Sequence, residues 1–345
     1  MSADLTERLV PESALRDWIG DRLPGEGPFV VERVTTGSSN EMFRLERCGH
    51  RALLRRPPRA GGDRSGAVLE REHRILGALE GSGLPHSRSL ALCLDSDVIG
   101  APFALLEWVD GVRLYDGLPA ALDDSAARQR VAEELFDSLA ALHNIDWEAA
   151  GLGDLGRPDG FTARQVDRWM HQLHATKGRD LPDAEKAAEW LAANVPVMQR
   201  PALIHGDYGL HNVLYSAGTP VELIAVVDWE TATIGDPLLD IGYLLGLWLE
   251  GADEQRRWFS TALPYDVAGF PGRAELAARY AAAAGLELDA VEWYRAMAQL
   301  KVAVILEGLY ARWSSGGSDN PALERLRLAV PNHAAYALAI TRGEA

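Results

Sequence analysis

The sequence predicts an α+β fold in which strands and helices are largely segregated. Three features carry that reading. Short β-like runs gather in the first third of the chain around one helix, most of the remainder has helical period, and one block of β-like runs at 202–227 interrupts the helices. At 345 residues the chain has room for one large domain or two lobes, and 47% hydrophobic residues suffice for a sizeable core.

Taken in order, residues 11–23 place Leu15, Trp18, Ile19 and Leu23 at helical spacing and stop at Pro24 and Gly25. Residues 29–34 and 41–45 read as the strands of a hairpin whose tip, 35–40, is small and polar. Such a tip can offer backbone N–H groups and hydroxyls to phosphate. Residues 51–56 form the next strand; if it is regular, Leu53 and Arg55 share one face and Arg56 takes the other. A Pro-, Gly- and Arg-rich loop at 57–66 leads to a helix at 68–79, with Val68, Leu69, Ile75, Leu76 and Leu79 apolar and Glu70 and Glu72 acidic. Strands at 90–94 and 103–108 flank a turn.

Helices follow. Residues 125–143 repeat Val131, Leu135, Leu139 and Leu142 at helical spacing behind a cap at Asp124 or Ser125. Past a Gly-rich loop at 151–160, helices are expected at 161–175 and 183–195. Of Trp169, Met170 and His171, all candidates for a cleft lining, the first two read better as core. Residues 238–249 form a buried helix that Asp236 can cap, with Asp240 in its first turn. Further helices are expected at 254–262, 272–286, 289–313 and 321–341. In the third of these, Ala298, Val302, Ile305, Leu306 and Leu309 form an apolar stripe, and Glu307, Tyr310 and Arg312 face either an acceptor or solvent.

The block at 202–230 carries the chemistry. A strand at 202–204 is followed by a turn-rich loop, 205–212, then by runs at 213–215 and 223–227 joined through Ser216, Gly218 and Pro220, and Asp228 closes the last run. Asp207, Asn212 and Asp228 thereby sit at strand ends, where rigid strands hold loop residues in place. A carboxylate there can accept the proton of an attacking hydroxyl. An amide oxygen and a second carboxylate are hard ligands of the kind magnesium takes alongside phosphates. The spacing H-G-D-x-x-x-x-N from His205 to Asn212, with an Asp after the next pair of runs, is that of kinase catalytic and metal loops. Two blander readings compete: a turn in which His205 is merely packed, and a metal hydrolase using His205, Asp207 and His211, which lacks the further histidine pair a zinc site needs.

HGDYGLHNVLY, taken with DWETATIGDPLLDIGYLL, resembles the aminoglycoside phosphotransferase and choline kinase-like family. Within it the chain is most similar to the subgroup related to the kinase-like domain of some acyl-CoA dehydrogenase fusion proteins. The resemblance implies a two-lobed protein-kinase-like fold. A small antiparallel β-sheet N-lobe, 1–109, binds nucleotide, and a larger, mostly helical C-lobe, 110–345, carries the catalytic loop, the metal site and acceptor-binding helices. The implied reaction is ATP- and Mg2+-dependent phosphorylation of a small-molecule hydroxyl. Asp207 is then catalytic and Asn212 and Asp228 hold the metal. Arg55 stands where the family usually has lysine, with Glu72 as its partner; Gly37, Ser38 and Ser39 tip the phosphate loop. ALLEWVDG joins the lobes, and backbone from Glu107 to Val109 meets the adenine edge. Asp240 braces the catalytic loop and His143 is structural. The family name implies an aminoglycoside acceptor; the subgroup implies hydroxyacyl-CoA or another metabolite. Arginine at the lysine position also admits a nucleotide-binding pseudokinase, against which the intact Asp207, Asn212 and Asp228 argue.

A net charge of −16 argues against nucleic acid or an anionic membrane as partner. Two cysteines, Cys48 and Cys93, without metal-type spacing, fit a reducing cytoplasm. The charged start MSADLTERLV has no signal-peptide character, and no apolar run is long enough to span a bilayer.

Overall fold

The computed structural model describes residues 6–7, 9–34, 40–58, 65–114, 117–120, 124–176, 178–250 and 268–345. The chain forms two compact units, Met1–Gly111 with Ile224–Glu230, and Val112–Leu223 with Thr231–Ala345. The fold class is as expected: a small antiparallel sheet in one, mostly helix in the other. The expected loop tip at 35–39 and the expected helix at 254–262 lie outside the described residues.

The first unit is built on strands β1 (Val30–Val34), β2 (Glu41–Arg47), β3 (His50–Arg56), β4 (Ser89–Cys93) and β5 (Phe103–Glu107), in the order β1-β2-β3-β5-β4. All neighbours are antiparallel, with Met42 opposite Arg55 and Arg55 opposite Ala104. Strand alternation gives the sheet two characters. On one face Phe43, Leu45, Ala52, Leu54, Phe103 and Leu105 are buried with Leu15 and Ile19 of helix α1 (Glu12–Ile19). Each such side chain contributes roughly 1.5–3 kcal/mol on burial. Arg56 lies on that face, where it donates to the carbonyls of Leu9 and Ile99. Arg55 takes the other face, toward helix α2 (Ser65–Leu79). Strand β1 is an edge, with Val30 56% exposed, and it is covered by charge: Arg33 pairs with Glu41 and Arg44 with Glu32.

In the second unit, helix α3 (Ser125–His143) starts and stops where its periodicity predicts, and Asp124 caps it by accepting from Ala127 N at 2.9 Å. Helices α4 (Phe161–Thr176) and α5 (Pro182–Ala193) follow, then strands β6 (Ala202–Ile204) and β7 (Val213–Tyr215). Strand β8 (Leu223–Val226) carries the chain into the first unit. Strand β9 (Thr233–Gly235), not anticipated from sequence, pairs antiparallel with β6. Helices α6 (Leu238–Leu247), α7 (Arg273–Ala284), α8 (Val291–Ser314) and α9 (Leu326–Thr341) complete it. Helix α8 packs against α4, α5, α6 and α9. Its crossing with α6 needs glycine: a Cβ on Gly242 would stand 2.3 Å from Tyr294 Cβ. Being buried nearly all round from Trp293 to Val304, α8 has no single stripe there. The expected stripe fails further on, where Ile305 and Leu309 are 37% and 42% exposed. Among the described residues no helix is long and apolar enough to cross a membrane.

Candidate active site

In the first unit the site is built around Arg55. Its guanidinium donates to Glu72 from α2, to Asp228 Oδ1 at 3.1 Å and to Glu230 Oε2 at 2.8 Å. Arg55 and Glu72 are both buried. Alternation separates the two arginines: the odd-numbered one meets the carboxylates, the even-numbered one ties down carbonyls on the opposite face. Burial opposes the Arg55 charge, but Glu72, Asp228 and Glu230 outweigh it and hold the guanidinium protonated. For Glu72, burial pushes the carboxyl up and the neighbouring carboxylates push the same way, against the pull of Arg55. One cation is shared by three anions. Asp228 follows β8 in a left-handed conformation, φ +69°, which Asp tolerates better than most residues. Trp229 Nε1 donates back to Val226 O at 3.0 Å and fixes the turn, and Asn40 Nδ2 donates to Glu230 at 3.2 Å.

At the end of β5, the Glu107 carboxylate is forked onto Arg88, whose hydrogen bond holds it below the usual carboxylate range. The Glu107 main chain is also engaged: N–H donates to Arg88 O at 2.8 Å, and the carbonyl accepts from Ser87 Oγ at 2.7 Å. Further along the segment expected at an adenine edge, the Val109 carbonyl accepts from Gly111 N at 3.1 Å. Gly37, Ser38 and Ser39 lie outside the described residues.

In the second unit the loop after β6 is suspended from buried groups. His205 N and Gly206 N donate to the two oxygens of Asp240 at 2.6 and 2.8 Å, so Asp240 is a brace from the first turn of α6. His143 Nε2 lies 3.4 Å from Asp240 and its Nδ1 bonds the Tyr280 hydroxyl at 2.6 Å, a structural role. Burial alone would raise Asp240; the His143 hydrogen bond and charge, with His205, bring it down. Gly206 sits at φ +81°, and a Cβ there would be 3.0 Å from Thr231 O, so glycine is required. Two tyrosines hang the block on α3: Tyr208 and Tyr215 donate to Leu135 O and Val131 O, each at 2.8 Å.

This frame presents Asp207. Asn212 Nδ2 donates to its carbonyl at 2.9 Å and to its carboxylate Oδ2 at 3.1 Å, so both bonds use the amide nitrogen of Asn212. His211 Nε2 is 3.4 Å from the same Oδ2. Burial would raise the Asp207 carboxyl, but the His211 hydrogen bond and charge, the Lys301 charge and the Tyr243 hydroxyl hold it well below the usual carboxylate range. The group is an ionised acceptor, suited to orienting a hydroxyl and taking its proton as that hydroxyl becomes acidic in the transition state. His205 is fully buried, with Nδ1 3.3 Å from Asp207 N, and is packed.

Lys301, Tyr243 and Glu230 were not singled out by the sequence. Lys301 reaches Gly206 O from α8, 95 residues away in the chain, and its Nζ lies 4.3 Å from the Tyr243 ring centroid. Other expectations are corrected. Glu307 faces neither acceptor nor solvent: it is fully buried, accepting from Arg179 Nε at 2.9 Å and Gly178 N at 3.2 Å. Tyr310 packs 4.2 Å from the Arg179 guanidinium, whereas Arg312 is exposed, in line with the solvent alternative, with Nε donating to Gly317 O at 3.1 Å. Trp169 is half-buried rather than core, with Arg168 at 5.1 Å and Lys301 at 5.9 Å from its ring.

Comparison with known proteins agrees with this geometry. The model of the phosphotransferase enzyme family matches residues 30–300. Mouse acyl-CoA dehydrogenase family member 10 is 31% identical over 317 residues, covering 90% of this chain and 29% of that protein. Chicken acyl-CoA dehydrogenase family member 11 is 29% identical, covering 89% and 40%. The chain thus spans less than half the length of these relatives. Among solved structures, a Ralstonia eutropha JMP134 protein provisionally classed as an aminoglycoside phosphotransferase is 31% identical, with a TM-score of 0.81 over 96% of this chain and 98% of that one. The GDP and kanamycin complex of APH(2'')-IIIa shares the fold at 22% identity and a TM-score of 0.62, covering 91% and 98%. This chain belongs to the phosphotransferase enzyme family and has its protein-kinase-like fold.

Proposed function

We propose that the protein transfers the γ-phosphoryl group of ATP, with Mg2+, to a hydroxyl of a small metabolite. The observation that carries this is the Asp207–Asn212 pair: an ionised carboxylate held by the amide of the asparagine that ends the H-G-D-x-x-x-x-N loop. The donors fit magnesium. Asn212 turns its amide nitrogen onto Asp207 and keeps its oxygen, and Asp228 supplies a carboxylate on a fixed left-handed turn. Bound there, the metal neutralises phosphate charge. Arg55, set by Glu72, steadies the phosphates, and Gly37, Ser38 and Ser39 are the further phosphate-binding residues that the family resemblance implies. Val109 N–H meets the base. Asp207 orients the acceptor hydroxyl; its oxygen bonds the γ-phosphorus, its proton passes to the carboxylate, and ADP leaves.

Two lines of descent suggest the acceptor. The relatives carry acyl-CoA dehydrogenase names, which favours a hydroxyacyl-CoA or a related hydroxylated metabolite. A structural neighbour holds kanamycin, which keeps aminoglycosides as the alternative. The acidic balance and the absence of a membrane-crossing helix among the described residues support a cytoplasmic enzyme that binds neither nucleic acid nor membrane. The test is acceptor-dependent ADP release by purified protein across a panel of hydroxyacyl-CoAs, hydroxylated metabolites and aminoglycosides, with ATP and GTP each supplied. Release that survives undiminished in Asp207→Asn would refute the assignment. Tight ATP binding with no release for any acceptor would favour the pseudokinase reading.

A further inference from the structure

The chain builds its positive charge almost wholly from arginine. Among 34 basic residues there are three lysines, Lys177, Lys186 and Lys301, and even the phosphate position on β3 is arginine. Lys186 is on the surface, 3.9 Å from Asp183. Lys301 is different. Its Nζ donates to the Gly206 carbonyl, inside the loop that presents Asp207, and it lies beside the rings of Tyr243 and Trp169.

Lys301 is half-buried, and an ammonium drawn partly out of water is costly unless negative charge offsets it. One carbonyl bond is a weak reason for such a charge, because a neutral donor serves a carbonyl as well. Burial indeed works against the Lys301 charge, and the carboxylates that favour it are Asp207 and Asp240. Asp240 is already engaged by His205 N, Gly206 N and His143. Asp207 is the carboxylate whose direction matters. A compact ammonium with three donors fits a slot walled by aromatic faces, where a planar fork is a poorer fit.

We propose that Lys301 is a positioning residue of phosphoryl transfer: its ammonium pins the carbonyl of Gly206, the residue before Asp207, and so fixes how that carboxylate meets the acceptor hydroxyl. The proposal rests on the role given to Asp207 above. Removing the ammonium frees the loop and leaves nucleotide binding to the other unit, so the loss falls on kcat and not on the nucleotide KM.

The test uses the full chain in two arms. In the first, Lys301→Met lowers kcat about a hundredfold with the nucleotide KM unchanged, and Lys301→Arg, which keeps the charge, recovers to within about tenfold of wild type. A Met variant within about threefold of wild type, or an Arg variant no better than Met, overturns the proposal. The second arm needs no turnover. With 15N-labelled lysine side chains the chain offers three Nζ signals. The one lost in Lys301→Met is expected to be protected from solvent exchange, shifted by ring currents, and moved by Tyr243→Leu and Asp207→Asn. A signal indistinguishable from free lysine overturns the proposal. If wild type transfers no phosphate to any acceptor, the phosphotransfer reading fails by itself, and this second arm still decides whether Lys301 is pinned.

Discussion

Arg55 is a buried cation and Lys301 a half-buried one, and the two units accommodate them in opposite ways. Arg55 is spread over three carboxylates, Glu72, Asp228 and Glu230. Lys301 makes one carbonyl bond between aromatic faces, with Asp207 as its nearby anion. A rigid fork suits several oxygens in a plane, whereas a point charge suits a narrow slot. The difference teaches how each unit is charged. The first holds an excess of negative charge around its cation, which suits the divalent ion proposed for it. The second is close to balance, so its carboxylate stays ionised and correctly aimed.

The most severe way to break this contrast is at Asp207. Asp207→Asn is expected to lower turnover by about a thousandfold or more, read as kcat of ADP release, because the amide keeps the shape and loses the acceptor. Asp228→Ala probes the other side: removing one anion should abolish the steep dependence on magnesium, and an unchanged Mg2+ titration would show that the negative excess has another purpose.

His333 sharpens the comparison, because burial is the cause that moves its pKa. It is fully buried, with Nδ1 2.7 Å from Gln299 Oε1, and burial alone pushes it down to about 4 from an ordinary 6.5. The unfolded chain therefore binds a proton in a range where the folded chain does not. Stability from this group is complete above the unfolded value and is lost as pH falls toward the folded one, by on the order of 3 kcal/mol. Denaturant midpoints measured between neutral and acid pH should show that slope, and His333→Asn should flatten it.

Smaller effects follow. Glu72→Gln keeps the shape beside Arg55 and removes one of its anions; since Asp228 and Glu230 remain, the expected loss is about 2 kcal/mol in thermal unfolding, with a raised nucleotide KM. Asp124→Ala removes the α3 cap at a cost of about 1 kcal/mol and should leave kcat unchanged, which separates loss of stability from loss of chemistry.

What the sequence made legible was local. Helix α3 was readable at both ends because Asp124 caps it and Val131, Leu135, Leu139 and Leu142 repeat at helical spacing. The loop at 205–212 was readable because its spacing is a chemical constraint; the Arg55–Glu72 pairing came from the family resemblance, since helical period alone left Glu70 and Glu72 both open. The misses have long-range causes. Strand β9 is three residues long and exists through its pairing with β6, too short for a period to register. Lys301 and Tyr243 meet the catalytic loop by helix packing that no short window contains. Glu307 read as a surface residue because its neighbours in sequence are partly exposed; the arginine that buries it, Arg179, is 128 positions away.

The arginine on β3 has a practical consequence. Surveys that detect kinases by acylating the phosphate-binding amine with a nucleotide acyl phosphate depend on a nucleophilic nitrogen there. A guanidinium that stays protonated beside Glu72, Asp228 and Glu230 will not be acylated, so this protein should escape such tagging at position 55 however well it binds nucleotide.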